Sequence, residues 1–445
     1  LGHDGRFHKV TQVFTRQYEG AIIDIKVHGS AFRASLTPEH PVFSARVSSP
    51  GRRSIRVGDG KYEGMRYRYP ALLEMDWLSA AKLRKGDVVA VAIPNETQLL
   101  DGIMVRVRHG NTMRAKRIPV SNDLMSLLGF YAAEGCVSFT SYRTLLDFGK
   151  TLKEYLLAYA AKTCAERLGF SAGITTTLSG ARVQIYSSGF TDFVAENLGR
   201  GASKKRVPLW LLKQPIELLR SFLDAYLEGD GYKEKSGSWS AATVSPKLAV
   251  GLKLIGDRLG FIVNMSVHDS KDVILGRSVK TKPTYHLRFR EKQDKVGGRM
   301  WRDDTYLYTR IQDLKTKIYA GTVYNLEVEG CNSYMAPNLP VHNCFNRKEA
   351  RVLVGGTEYG IRGTLDNLAD KGEVVTDTAL KFVIKANGKR RTWEELRKIP
   401  PSHWSIEPAY RKMPLSTALR RQRRRGVKTI RAGALACYRA PKRLT

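Results

Sequence analysis

Three consecutive residues, His342-Asn343-Cys344, carry the groups needed to break and remake a peptide bond. An asparagine side-chain amide can attack its own backbone carbonyl, closing a five-membered succinimide and severing the bond to the next residue. The histidine beside it can give the leaving nitrogen its proton. A cysteine beyond the break offers a thiol, the side-chain nucleophile most readily activated near neutral pH. A second chemical signal lies in two stretches, LMSLLGFYAAEGCV (124–137) and RSFLDAYLEGDGY (220–232). Each reads as a helix ending at a glycine suited to a C-cap, Gly135 and Gly231, with an acid just before it, Glu134 and Asp230. An acid at that end opposes the helix dipole, so it needs a reason other than helix stability. Gly129 and Ala133 lie four apart on one helix, as do Ala225 and Gly229 on the other. Small side chains let two backbones approach closely, which sets Glu134 and Asp230 side by side.

The elements that must hold these groups fall into an order of their own. Residues 1 to about 94 read as short strands with turns, and within them lies LTPEHPVF (36–43), with Thr37 and His40. The segment Tyr18–Val27 matches Tyr319–Val328 without a gap. Two such β segments far apart imply one pseudo-two-fold β domain with something inserted between its halves. Residues 95–117 are polar and basic, and read as a linker or a DNA-contacting extension. After each acid-tipped helix the text repeats, LLAYAAKTCAERLGFSAGITT (156–176) paralleling LAVGLKLIGDRLGFIVNMSV (248–267). The basic strands RVQIYSS and TYHLRFR follow, giving an α+β unit duplicated within one chain. From about 304 the β text resumes, and after Cys344 its character changes again, ending in a tail with RRQRRRGVK.

Composition narrows the partners. A chain of 445 residues with a formal charge of +32 favours a polyanion, nucleic acid before anionic membrane. No run of about 18 apolar residues exists, so no membrane helix is expected, and LGHDGRFHKV lacks the apolar core of a secretory signal. The five cysteines form no CxxC pair, which suits a reducing cytoplasm. A monomer is expected.

The stretch VYNLEVEG followed by SYMAPNLPVHN and Cys344 resembles the C-terminal splicing motif of inteins, and Thr37 with His40 resembles their TxxH motif. The repeat is one expected of the Hedgehog/intein (HINT) fold. The two acid-tipped stretches resemble LAGLIDADG motifs, aligned at Leu127–Gly135 and Leu223–Gly231. The resemblance covers residues 1–343. It implies a mixed fold, with an all-β HINT splicing domain in two sequence halves, 1–94 and 305–343. A pseudo-two-fold α+β LAGLIDADG endonuclease is inserted at 95–304, its motif helices at about 123–135 and 219–231. Residues 344–445 are then a fragment of the host protein, the C-extein.

The implied activities are autocatalytic protein splicing, with the exteins as partners in cis, and site-specific cleavage of double-stranded DNA. In the first, Cys344 is the acceptor nucleophile, Asn343 cyclises with help from His342, and Thr37 and His40 strain or protonate the upstream scissile amide. In the second, Glu134 and Asp230 hold Mg²⁺, which activates an in-line water and neutralises phosphate. Lys205 in KKRVP supports the first half, and Lys282 in KTKP is the candidate for the second. Arg182, Gln184, Arg288 and Arg290 alternate outward on the basic strands as DNA contacts, read in the major groove. The family pattern is broken in places. The chain opens at Leu1, where the text looks like that immediately after the usual N-terminal nucleophile, so the first acyl shift cannot run on these residues alone. Asn325 stands where many inteins carry Asp, and Asn332 where a His often assists cyclisation. Cys331 reads as a small buried residue. Two narrower readings are an autoprocessing domain that only releases its downstream segment, and a DNA-binding protein with an inactive nuclease.

Overall fold

In the computed structural model the two copies of the internal repeat lie against each other. Val10–Val27 pairs antiparallel with Tyr306–Val328, Glu19 opposite Ala320. The Tyr18 hydroxyl donates to the Ala21 carbonyl at 2.7 Å, and its counterpart Tyr319 donates to the Thr322 carbonyl at 2.9 Å. Matching residues thus make matching bonds about a local two-fold. The described residues are 1–343 except 47–50, 57–61, 69–73, 110–111, 270–272, 275–276, 279–281 and 292–297, and, beyond 343, short strands between 351 and 408.

The paired strands belong to a nine-stranded antiparallel sheet. Its path runs Ala34–Leu36, Val10–Val27, Tyr306–Val328, Val88–Ala92, Pro41–Ala45, Leu339–His342 and Ser333–Ala336. Met300–Arg302 joins at Tyr306–Val328, and Asp76–Ser79 at Pro41–Ala45. Every strand therefore comes from before 95 or after 299. Alternation explains the buried face: Ile23, Ile25 and Val27 point into a core shared with Val89, Leu307, Ile311, Leu339 and Val341.

A second, larger core is built from the residues between. Its helices are α1 (Asn122–Glu134), α2 (Leu152–Arg167), α3 (Ser188–Asn197), the single turn α4 (Leu209–Leu212), α5 (Ile216–Asp230) and α6 (Pro246–Arg258). Ser121 caps α1, Thr151 and Glu154 form a capping box on α2, and Ser245 with Pro246 starts α6. α1 runs into a four-stranded sheet ordered Gly135–Ser138, Arg143–Phe148, Gly180–Ile185, Ala172–Thr177. α5 runs into another ordered Gly231–Lys233, Trp239–Thr243, Thr284–Arg290, Ile262–His268. The strand order is the same in both, with α2 and α6 as equivalent crossovers.

Gly135 and Gly231 stand at the C-caps of their helices as expected, in extended conformation, φ −83° and −102°, because each helix passes straight into a strand. What excludes a side chain there is the preceding turn: a Cβ would stand 2.5 Å from the Tyr131 carbonyl oxygen or 2.3 Å from that of Leu227. Within residues 95–117 lies no bare linker but a strand of a hairpin, Gly102–His109 with Thr112–Pro119, whose Ile103, Val105 and Ile118 join the larger core. The second compact unit, Cys344–Thr445, holds a hairpin of Arg351–Val354 with Thr357–Gly360. It also holds a small sheet centred on Leu380–Ala386. No helix among the described residues is long and apolar enough to cross a membrane.

Candidate active sites

The first unit ends at Asn343, and its last strand sets that residue among polar groups. Leu339–His342 pairs with Pro41–Ala45 at Val341 opposite Val42, so continuing the antiparallel register by two residues carries Asn343 opposite His40. The Asn343 N–H donates to the Asn332 carbonyl at 2.8 Å, from a residue in left-handed conformation (φ 52°), which asparagine tolerates. His342 Nδ1 lies 2.8 Å from the Asn343 carbonyl oxygen. A carbonyl can only accept, so this nitrogen carries the proton. The bond polarises the carbonyl that the Asn343 amide would attack. It also places His342 on the oxygen where negative charge would develop, rather than on the leaving nitrogen the sequence assigned to it.

Asn343 is buried, and its Oδ1 and Nδ2 find no partner among the described residues. Burying an amide this way costs on the order of 1–3 kcal/mol. It leaves the amide nitrogen unclaimed among the described residues. His40 is buried too, with Nε2 likewise unpartnered among the described residues. Burial pushes its pKa down to about 4, with Glu39 opposing and His342 reinforcing. It is therefore mostly neutral near pH 7 and can donate or accept a hydrogen bond. Thr37 is half-buried and its carbonyl accepts the His40 N–H at 3.0 Å, closing the turn that carries the histidine. Asn325 accepts from the Tyr334 hydroxyl at 3.2 Å and from the Leu326 N–H at 2.9 Å, so its amide oxygen positions neighbours. Cys344 lies outside the described residues.

Residues without a recognisable motif complete this centre. The Trp77 ring meets the edge of His342 at 5.0 Å and of His3 at 5.4 Å. Ser333 Oγ accepts from the His3 N–H at 3.0 Å and lies 2.9 Å from Cys331 Sγ. Cys331 is thus half-buried with polar neighbours, not an inert filler. The Met335 N–H donates to the Leu1 carbonyl, while Ser333 pairs with His342. Residues 1 and 342 therefore flank the same short strand.

The second centre lies where α1 and α5 touch. A Cβ on Gly129 would fall 2.3 Å from the Phe222 carbonyl oxygen, and one on Gly229 would fall 2.9 Å from Ala133 Cβ and 3.5 Å from Glu134 Cγ. The small residues are there because the backbones are in contact, as their spacing implied. Burial first, then the Asp230 carboxylate, push Glu134 up to about 7, with Lys205 opposing. Burial also raises Asp230, against Lys205 and the Tyr226 hydroxyl, which lies 3.4 Å from Oδ2. Lys205 is buried, and burial lowers it to about 8, with Asp230 and Glu134 pulling the other way. Its Nζ donates to the Ala132 and Ala133 carbonyls at 2.9 and 3.0 Å, capping α1 beside both acids. Lys205 thus lies beside both acids. Lys282 is exposed and donates to Ser203 Oγ at 2.8 Å.

Glu134, half-buried, and Asp230, exposed at the end of its helix, are two carboxylates with raised pKa, a pair that suits a hard divalent cation, which favours oxygen donors and would restore both negative charges. A pH signature follows. Folded Glu134 keeps its proton to about 7, against an ordinary 4.5, so folding takes up a proton between these values. Stability from this group is complete below pH 4.5 and lost as pH rises towards 7. Thermal melts in chelator should show this decline. It should flatten in Glu134→Gln and on adding Mg²⁺.

The proposed DNA-contact residues do alternate with buried ones. Ala181, Val183 and Ile185 face the core while Arg182 and Gln184 face away, and Leu287 and Phe289 alternate with Arg288 and Arg290. They are engaged within the protein. Arg182 forms a two-pronged pair with Asp147 at 2.5 and 3.2 Å, and Gln184 bridges Thr175 and Arg143. Arg288 pairs with Glu234. A cavity of about 1070 Å³ opens beside Asp230, lined also by Arg288, Arg290, Arg299, Lys26 and His28.

No family model matches the chain. It is 28% identical over 360 residues to an iron-sulfur cluster assembly SufBD family protein of Mycobacterium tuberculosis, aligning 77% of this chain and 39% of that one. It is 27% identical over 414 residues to the ATP-dependent DNA helicase Hel308 of Thermococcus kodakarensis, aligning 80% of this chain and 35% of that one. The chain thus spans about two-fifths of the length of these curated relatives. Among solved structures it is similar to the homing endonuclease I-DmoI in complex with DNA and Mn. There the identity is 15% and the TM-score 0.28, covering 38% of this chain and 90% of that one.

Proposed function

We propose that residues 1–343 are a protein-splicing element of the intein type carrying a nested LAGLIDADG homing endonuclease, and that Cys344 begins the downstream extein. The observation that carries this is the Asn343 junction. An amide that is buried and has no partner among the described residues sits beside its own carbonyl, that carbonyl accepts a hydrogen bond from His342, and the boundary between the two compact units falls at the next bond. The relatives lend support. Proteins named for iron-sulfur assembly and for DNA unwinding share similar text over less than half of their own lengths, as an inserted, self-removing segment would produce.

In the C-terminal step, Asn343 Nδ2 bonds to the Asn343 carbonyl carbon while His342 holds the developing oxyanion. The bond to the Cys344 nitrogen then breaks. The proton lost from Nδ2 is balanced by one gained at that nitrogen, leaving a succinimide on 343 and a free amine on 344. Burial holds the reacting groups in place, and most of the rate is expected from that positioning. Cys344 acts as the acceptor for the upstream acyl group, and the turn holding Thr37 and His40 binds the upstream scissile amide through a neutral imidazole.

For DNA cleavage, Glu134 and Asp230 would hold Mg²⁺, which when bound would supply water activation and charge neutralisation at the phosphate. Lys205 lies beside both acids and steadies the end of α1. Arg182, Gln184, Arg288 and Arg290 exchange their internal partners for DNA, so affinity falls steeply with salt. The test is to express the chain with a Cys and a reporter segment before Leu1 and follow the products by mass. The expected products are a reporter joined to residues 344–445 and an excised piece whose Asn343 end is one water lighter than the hydrolysed form. Release of 344–445 without joining would support the narrower autoprocessing reading, and a chain that stays whole would refute both.

A further inference from the structure

We propose a transition-metal site, separate from the carboxylate pair, formed by Asp4, His8 and Cys331. One oxygen, nitrogen or sulfur atom from each lies within 4.8 Å of the other two. In a tetrahedral zinc site such atoms stand about 3.3–3.8 Å apart, so closure needs shifts of about an ångström or less. His8 Nε2 is already 2.8 Å from Asp4 Oδ2. His3 Nδ1 lies 3.5 Å from Cys331 Sγ, a candidate for the fourth position alongside water.

Gly2 lets the three ligands pack close to the backbone. It is buried, and a Cβ placed on it would stand 2.4 Å from Cys331 Sγ, 2.7 Å from Asp4 Oδ1 and 3.0 Å from His8 Cδ2. A side chain at this position would push the three ligands apart. A thiolate with an imidazole and a carboxylate selects Zn²⁺ or a similar borderline ion over Mg²⁺. Binding sends the Cys331 thiol proton to solvent. The ion also takes the place of the His8 Nε2–H now donated to Asp4, the neutral ring then carrying its single proton on Nδ1. Occupancy staples residues 4–8 to the turn at 331–332, whose Asn332 carbonyl holds the Asn343 N–H.

The full chain carrying Asn343→Ala, so that it stays whole, is titrated with Co²⁺ under reducing conditions in excess Mg²⁺. One equivalent should produce the charge-transfer absorption of a cobalt thiolate, displaced by Zn²⁺. Cys331→Ser should abolish the band, and Gly2→Ala and His8→Ala should weaken binding at least tenfold, with folding checked by circular dichroism. His8→Ala decides the matter where Gly2→Ala fails to fold. Cys344→Ser should leave the band intact. A band that survives Cys331→Ser, one lost with Cys344→Ser, or none at stoichiometric cobalt would overturn the site.

Discussion

Replacing Asn343 by alanine is expected to leave the chain whole, with no succinimide end and no free Cys344 amine detectable by mass. The effect is total because the side chain is the attacking group and no other residue can form that ring. Replacing His342 by alanine should be less severe. It removes the donor 2.8 Å from the Asn343 carbonyl oxygen, and loss of one such donor slows comparable reactions by about 10²–10³-fold. Glutamine at 342 can still present an N–H, and should recover part of the rate. If His342→Ala released residues 344–445 as fast as the parent, the hydrogen bond would be structural only.

Glu134→Ala and Asp230→Ala are each expected to lower DNA cutting by at least about a thousandfold, equivalent to roughly 4 kcal/mol of barrier. The readout is a randomised-target DNA library incubated in Mg²⁺, with cut ends counted by sequencing. Splicing measured on the same preparations should be unchanged, because the carboxylates and Asn343 belong to elements with separate cores. Cutting that persists in both variants would remove these acids from the mechanism. A coupled loss of splicing would show instead that the two regions fold as one.

The acid-tipped helices were legible because their small residues are spaced for contact, and contact is what Gly129 and Gly229 make. The repeat was legible because both copies must satisfy the same pairing. The hairpin at 102–119 was missed because its buried Ile103, Val105 and Ile118 are scattered among arginines and lysines that dominate the local composition. His3 and Trp77 carried no signal, since they meet His342 and Ser333 only when residues some three hundred positions apart are brought together. Lys205 was picked out as a catalytic aid, but its bonds to the α1 carbonyls depend on distant packing. Glycine at each helix end marked the C-cap, and a strand beginning at the same residue sets its extended conformation.

The Ile93 N–H donates to the Thr305 carbonyl at 3.1 Å, and Ala92 stands opposite Tyr306. The chain therefore departs from the nine-stranded sheet and rejoins it at neighbouring points. A cassette with adjoining ends can be acquired or discarded as a block by a single genetic event, since a short turn closes the gap without rethreading any strand. The ancestry of the inserted α+β region and that of the β layer are accordingly free to differ.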